Sequence, residues 1–261
     1  MRDVHIHFLH GRECGYSHEY LSEFINKAVE MGLEEIYLLE HIHHFSEFIG
    51  VYAPVMEYNT LQRESLESDM VNSIDGYLDF IAKAKKCEYP LSVKFGLEVC
   101  YIPETSDKLA EVLGRYDFDF LTGGVHMIDG WTFDHKGQVE TWKNRDVNKT
   151  YRRYYEIMNE LCESGLFTGL AHPDSIKCFG YRHDCDLTEE YNILADLLIK
   201  NNMYAEHNGG LKMNYDPNLE LGMNDVMLDI MKRRGVRICT ASDAHKVSDL
   251  GTNIRELEAV L

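Results

Sequence analysis

Seven short apolar runs recur along the chain: VHIHF, EIYLLEH, LSVKFGLEV, FDFLTGGVH, LFTGLAH, MYAEHN and VRICTASDAH. Their length and composition suit strands buried in a parallel sheet, and most are followed by a stretch with helical spacing. The clearest helix is predicted at residues 18–32, where Tyr20, Leu21, Phe24, Ile25, Ala28 and Val29 share one face and Gly32 supplies a stop. Residues 150–164, 188–201 and 223–234 carry the same pattern. The stretch from 44 to 90 is long for a single crossover and predicts a helix over 60–87, so it is expected to form an excursion over the rest of the fold.

Repeated strand–helix units build either an open doubly wound sheet or a closed barrel. No GxGxxG follows the first strand, which disfavours a dinucleotide site. Each apolar run instead carries a His, Glu, Asp or Asn at or next to its carboxyl end. In a parallel barrel such residues meet at one mouth, where barrel active sites sit, so an α/β, TIM-like barrel is the expected fold. With no internal repeat, low-complexity tract or Pro/Ser-rich linker, residues 1–261 are expected to form one domain.

Composition narrows the partners. The formal charge of −18 and the lack of any basic block argue against a nucleic-acid binder, whereas a small anionic substrate is compatible if cations or a few arginines offset the field locally. No run of about eighteen uncharged apolar residues is present, so no membrane span is expected. MRDVHIHF lacks the apolar core of a secretory signal, and a cytoplasmic location is the expectation. Seven scattered cysteines without a CxxC pair read as reduced thiols, neither a disulfide framework nor a zinc knuckle. Nothing in the pattern fixes an oligomeric state.

The first strand raises the chemical question. Residues i and i+2 of a strand share a face, so His5 and His7 would stand side by side, a geometry suited to one metal ion. Thirteen histidines in the chain give about 0.6 such pairs by chance, so HIH alone is weak. It is joined, however, by His41, Glu98, His126, His172, Asp243 and His245, all at the ends of strand runs. Burying each separately would cost on the order of a few kcal/mol unless it were paired or metal-bound. A shared cluster satisfies them together. Imidazole and carboxylate ligands without thiolate favour Zn, Mn or Fe, and so many ligands call for more than one divalent ion, with Glu98 as the bridging carboxylate.

In order, the motifs HIH (5–7), LEHIHHF (39–45), GLE (96–98), GVHMIDGWTFD (124–134), AHPD (171–174), AEHNGGL (205–211) and ASDAHKVSDLG (241–251) resemble the PHP family, named for polymerase and histidinol phosphatase domains, and its histidinol-phosphatase branch in particular. The resemblance covers nearly the whole chain. It implies a distorted (β/α)7 barrel with a trinuclear metal site at the carboxyl ends of its strands. Carried over by residue, His5, His7, Glu98 and Asp243 would hold one ion, Glu98, His126 and His172 a second, and His41 and His245 a third. For the remaining ligand of the third ion both His10 and His18 are candidates, with His10 nearer the strand end.

The resemblance further implies hydrolysis of L-histidinol phosphate to L-histidinol and phosphate. Glu98 and Asp243 would act at the catalytic centre by holding the ions around a bridging water, whose pKa falls towards neutrality. Arg182 is the leading candidate for a phosphate fork, with Arg145 and Arg153 behind it, and His183 is a candidate for protonating the leaving group. A solvated surface pair is the competing role for each arginine. His43 and His44 would line the mouth or pack, His207 would pack, and Trp131 with Phe133 would wall the pocket or join the core. The alternatives are a phosphoesterase acting on another small phosphomonoester or nucleotide, and a non-catalytic, metal-stabilised regulatory module.

Overall fold

A computed structural model describes residues 1–9 and 15–261. Its strands are β1 (Arg2–His7), β2 (Glu35–His41), β3 (Ser92–Cys100), β4 (Phe120–Gly124), β5 (Met127–Ile128), β6 (Trp131–Thr132), β7 (Gly169–Leu170), β8 (Tyr204–Asn208) and β9 (Arg237–Ala241). Seven form one parallel sheet in the order β1-β2-β3-β4-β7-β8-β9, and these are the seven apolar runs. β5 and β6 form a separate antiparallel hairpin. The sheet nearly closes where β1 meets the segment after β9. There Ile6 bridges Ala244, the His7 N–H donates to Ala244 O at 2.8 Å, and the Asp243 N–H donates to His5 O at 3.0 Å. Buried Asp3 strengthens this seam by accepting from the N–H groups of Ser242 and Gly251 at 2.8 and 3.1 Å.

The helices are α1 (His18–Met31), α2 (Ala53–Tyr58), α3 (Thr60–Asp69), α4 (Ile74–Ala84), α5 (Ser106–Leu113), α6 (Val147–Glu163), α7 (Thr188–Lys200), α8 (Gly210–Asn214), α9 (Asp225–Arg234) and α10 (Ile254–Glu258). Local chemistry explains their ends. Ser17 accepts from the Tyr20 N–H to open α1, and Gly32, at φ +75°, closes it. Asp146 and Asn224 cap α6 and α9, so these helices begin at Val147 and Asp225 rather than at 150 and 223 as expected. No described helix is long and apolar enough to cross a membrane.

The excursion corrects one expectation. The single helix predicted over 60–87 is two helices, α3 and α4, with α2 before them. Between α3 and α4 the chain passes through a bridge of Phe45 to Asn72, in which the Asn72 N–H donates to His44 O and the Ser46 N–H to Asn72 O. Asn59 then caps α3 and Ser73 caps α4, so two new N-termini interrupt what reads as one amphipathic run.

Apolar packing divides into two layers. The larger cluster lies between the sheet and its helices and runs from Ile6 and Phe8 through Phe24, Phe80 and Leu161 to Leu257. The smaller one, Val4, Tyr37, Leu39, Phe120, Tyr204, Cys239 and Ala241, fills the barrel interior. The β1–β2 register shifts between Asp3 and Ile6. That irregularity lets Val4 join the interior cluster while His5 and His7, further along, also turn inward, the re-aiming that a bulge provides. The interior therefore changes from apolar to rich in His, Glu and Asp along the strands, with the polar end at their carboxyl termini.

Candidate metal centre

Glu98, on the inward face of β3 and 2% exposed, is the hub of the mouth. Its Oε1 lies 2.9 Å from His126 Nε2 and 2.8 Å from His172 Nε2. Its Oε2 lies 2.6 Å from His41 Nδ1, 3.4 Å from His5 Nε2 and 3.5 Å from His7 Nε2. Asp243 stands across from it, with Oδ1 3.4 Å from His7 Nε2 and 3.7 Å from His5 Nε2. The His7 ring stacks on His41 at 4.0 Å and lies 4.4 Å from His245. Five imidazole nitrogens thus ring one carboxylate.

The backbone is shaped to allow this convergence. His172 and Asp243 both have left-handed φ values, +25° and +58°, which non-glycine residues adopt at a cost of order 1–3 kcal/mol and which cluster at functional sites. Gly210 makes room for Asp243: a Cβ there would sit 2.3 Å from its Oδ2. At Gly124 a Cβ would meet His126 Nε2 at 3.0 Å and Glu98 Oε1 at 3.4 Å, so a side chain would crowd the converging donor atoms.

The electrostatics fit cations. Burial works to raise the Glu98 carboxyl, yet His41, His5 and His126 hold it well below the usual carboxylate range. Asp243 is likewise held down against its burial, chiefly by His5 and His7. Burial, followed by the charges on His41 and His245, pushes His7 well below the ordinary histidine value, and burial drives His41 down to about 4. The imidazoles therefore cannot all be protonated to balance the carboxylates. The nitrogens of His5 and His7 face each other at 3.1 Å, and the buried His172 Nδ1 has no hydrogen-bond partner among the described residues. No lysine or arginine pairs with Glu98, Asp243 or Glu206 among the described residues. Four triads of donor atoms lie within 4.8 Å of one another: His5 with His7 and Glu98, Glu98 with His126 and His172, His7 with His41 and His245, and His5 with His172 and Asp243. Nitrogen and oxygen donors in this density suit divalent ions of the zinc and manganese type.

The structure brings eight of the expected ligands together: His5, His7, His41, Glu98, His126, His172, Asp243 and His245. His10 lies outside the described residues. His18 begins α1, packs near Phe80 and belongs to none of the triads. The predicted phosphate and proton-transfer residues lie elsewhere. Arg182 pairs with Glu220 at 3.3 Å. Arg145 lies 3.6 Å over the Trp131 ring and donates to the Tyr58 hydroxyl, and Arg153 engages Asp129, Glu156 and Glu160. His183 donates from Nδ1 to Cys185 O at 2.9 Å. None of these four borders the cavity of about 580 Å³ above the hub. Ion pairs, stacking and, for His183, a backbone hydrogen bond hold them where they are. Trp131 and Phe133 are fully buried core residues, and His207 packs outside the barrel, its Nδ1 accepting from the Met223 N–H. His43 does border the cavity.

Several groups at the mouth were not predicted. Asp134 accepts from His126 Nδ1 at 2.7 Å, and Glu206 lies 3.0 Å from His5 Nδ1. Both belong to quoted motifs, and the strand alternation of Glu206 with His207 was the available signal. His135 and Lys136 follow Asp134 on the cavity wall. Buried Gln62 ties α3 to the hairpin: its amide donates to Val55 O and Gly130 O and accepts from Thr132 and Gln138.

A parallel barrel with a dense imidazole–carboxylate cluster at the carboxyl ends of its strands defines a barrel protein with a candidate metal centre at its mouth. The chain belongs to the PHP domain family, whose model matches residues 3–209. It is 27% identical over 248 residues to the Deinococcus radiodurans protein named "Probable histidinol-phosphatase", covering 93% of this chain and 86% of that one. It is 26% identical to the Bacillus subtilis histidinol-phosphatase, covering 96% of this chain and 95% of the relative. The crystal structure of a histidinol phosphate phosphatase from Lactococcus lactis, complexed with zinc, L-histidinol and phosphate, shares the fold. Its TM-score is 0.69 at 19% identity, over 98% of this chain and 93% of that one.

Proposed function

We propose that the protein is a divalent-metal-dependent phosphomonoesterase that hydrolyses L-histidinol phosphate to L-histidinol and phosphate. The observation that carries this is the meeting of Glu98, Asp243 and six imidazoles beneath one open cavity, in a chain of PHP type related to histidinol-phosphatases.

In this proposal His5, His7, Glu98 and Asp243 hold one cation and Glu98, His126 and His172 a second, with His41 and His245 available to a third; zinc, manganese and iron fit the donors. When bound, such ions acidify water and offset charge on phosphoryl oxygens. The remaining tasks fall to the chain. Asp134 accepts the Nδ1 hydrogen of His126 and so turns the Nε2 lone pair inward. Lys136 is the only lysine or arginine on the cavity wall among the described residues and faces the ester phosphate in place of the arginine forks. His135 accepts the Gly137 N–H at Nδ1, so its ring hydrogen sits on Nε2 and is available to the departing alkoxide.

The test is phosphate release from L-histidinol phosphate and from a panel of sugar, nucleoside and amino-alcohol monoesters, before and after chelation, with zinc, manganese or iron added back. Preference for L-histidinol phosphate, loss on chelation and recovery with metal are expected. Undiminished turnover after exhaustive metal removal would defeat the metal-dependent mechanism.

A further inference from the structure

We infer that Glu206 is a positioning residue that holds two ligands of the centre, His5 and His172, in their metal-binding arrangement. The inference rests on the reading of the cluster as a metal centre, but not on which ester is hydrolysed.

Glu206 lies on the inward face of β8 and has no solvent exposure. Its oxygens lie 3.0 and 3.1 Å from His5 Nδ1. It also accepts the His172 backbone N–H at 3.2 Å and the Asn208 side-chain amide at 2.9 Å, and no lysine or arginine is paired with it among the described residues. An ionised carboxylate only accepts, so each partner must present a hydrogen to it. His5 therefore carries hydrogen on Nδ1, which leaves the Nε2 lone pair facing Glu98 and Asp243.

The second contact acts on the backbone. His172 follows β7 with a φ of +25°, and the N–H of that strained residue is the one Glu206 receives. One side chain thus fixes the ring of a ligand on β1 and the main chain of a ligand after β7. Such outer partners of ligating histidines commonly change metal affinity 10–100-fold when removed.

Glu206→Gln tests the assignment with almost no change in volume. An amide cannot accept from all these donors at once: turning its NH2 towards His5 moves the ring hydrogen to Nε2, and turning its oxygen there sets NH2 against the His172 N–H. Zinc titration into the metal-free full-length variant is expected to show affinity at least about tenfold weaker than wild type, with thermal melting of the metal-free protein at or above the wild-type temperature. Affinity within threefold of wild type would overturn the inference, as would a variant whose metal-free fold melts far earlier with zinc affinity unaltered. A second readout uses the unmodified protein and so survives a variant that fails to fold: imidazole ¹H–¹⁵N spectra of the zinc-loaded wild type. His5 is expected as the Nδ1–H tautomer, and hydrogen on Nε2 would contradict the assignment. Normal zinc binding with no phosphate release from any monoester would count against the proposed reaction and leave this inference standing.

Discussion

His126 stands between two carboxylates: its Nδ1 is 2.7 Å from Asp134 Oδ2 and its Nε2 is 2.9 Å from Glu98 Oε1. Burial alone would lower the His126 pKa, yet Asp134, followed by Glu98, raises it well above the ordinary histidine value. Asp134→Asn can place an amide N–H against Nδ1 and move the ring hydrogen to the side needed for the metal. The variant should lose about 10–100-fold in kcat/KM and bind its metal more weakly, while the urea midpoint stays close to wild type. Steady-state kinetics beside metal titration checks this.

Asp243 sits at the opposite side of the hub with a left-handed backbone and Gly210 against its carboxylate. Asp243→Asn removes a ligand charge and little volume. Phosphate release should be abolished, with the far-ultraviolet circular dichroism of the wild type retained. Turnover within a few-fold of wild type would remove Asp243 from the centre.

The excursion bears on the site through Gln62, 2% exposed, whose amide joins α2, α3, the hairpin and the segment that follows Asp134. Gln62→Leu keeps the approximate size but leaves buried donors and acceptors unmatched, at a cost of about 1–3 kcal/mol for each group that finds no new partner. Urea unfolding should show a loss of about 2–4 kcal/mol. Activity should fall as well, because Asp134 and His135 ride on the same segment. A neutral outcome in both assays would mean that the excursion does not brace the mouth.

His207 supplies a pH signature separate from the ligands. Burial, then the charges of Lys177 and Lys232, lowers it to about 4, while its Nδ1 accepts the Met223 N–H. The unfolded chain titrates near 6.5, so between about 6.5 and about 4 the unfolded state binds the additional proton. The stability contributed by neutral His207 is therefore complete above about 6.5 and is lost as pH falls towards 4. Between about pH 7.5 and about pH 5 the wild type should lose about 2 kcal/mol more than His207→Gln, as read by urea unfolding at both values. Equal losses would show that His207 does not carry the shift.

The sequence exposed what periodicity encodes. All seven barrel strands were visible because each is a short apolar run with a polar residue at or next to its end; of the eight side chains that converge, His5 and His7 were visible from their i, i+2 spacing and the other six from their places at strand ends. The break between α3 and α4 was hidden because it depends on a tertiary bridge from Phe45 to Asn72. The arginines were ambiguous for a related reason: a guanidinium that could fork a phosphate has the same signature as one bound to Glu220 or lying on Trp131, and only the fold tells them apart. Asp134 and Glu206 were within reach of the sequence, but their role comes from contacts the fold makes: Asp134 meets His126 across the β5–β6 hairpin, and Glu206 meets His5 on a strand 201 positions away. The slip in β1 that turns His5 and His7 inward after Val4 leaves no mark in the alternation.

The most direct test of the central claim is anomalous diffraction at the zinc, manganese and iron absorption edges, from crystals of protein prepared without chelator. At least two anomalous peaks are predicted within the cage, one beside His5, His7, Glu98 and Asp243 and one beside Glu98, His126 and His172. Ordered side chains with no peak among them, in crystals supplied with these metals, would contradict it.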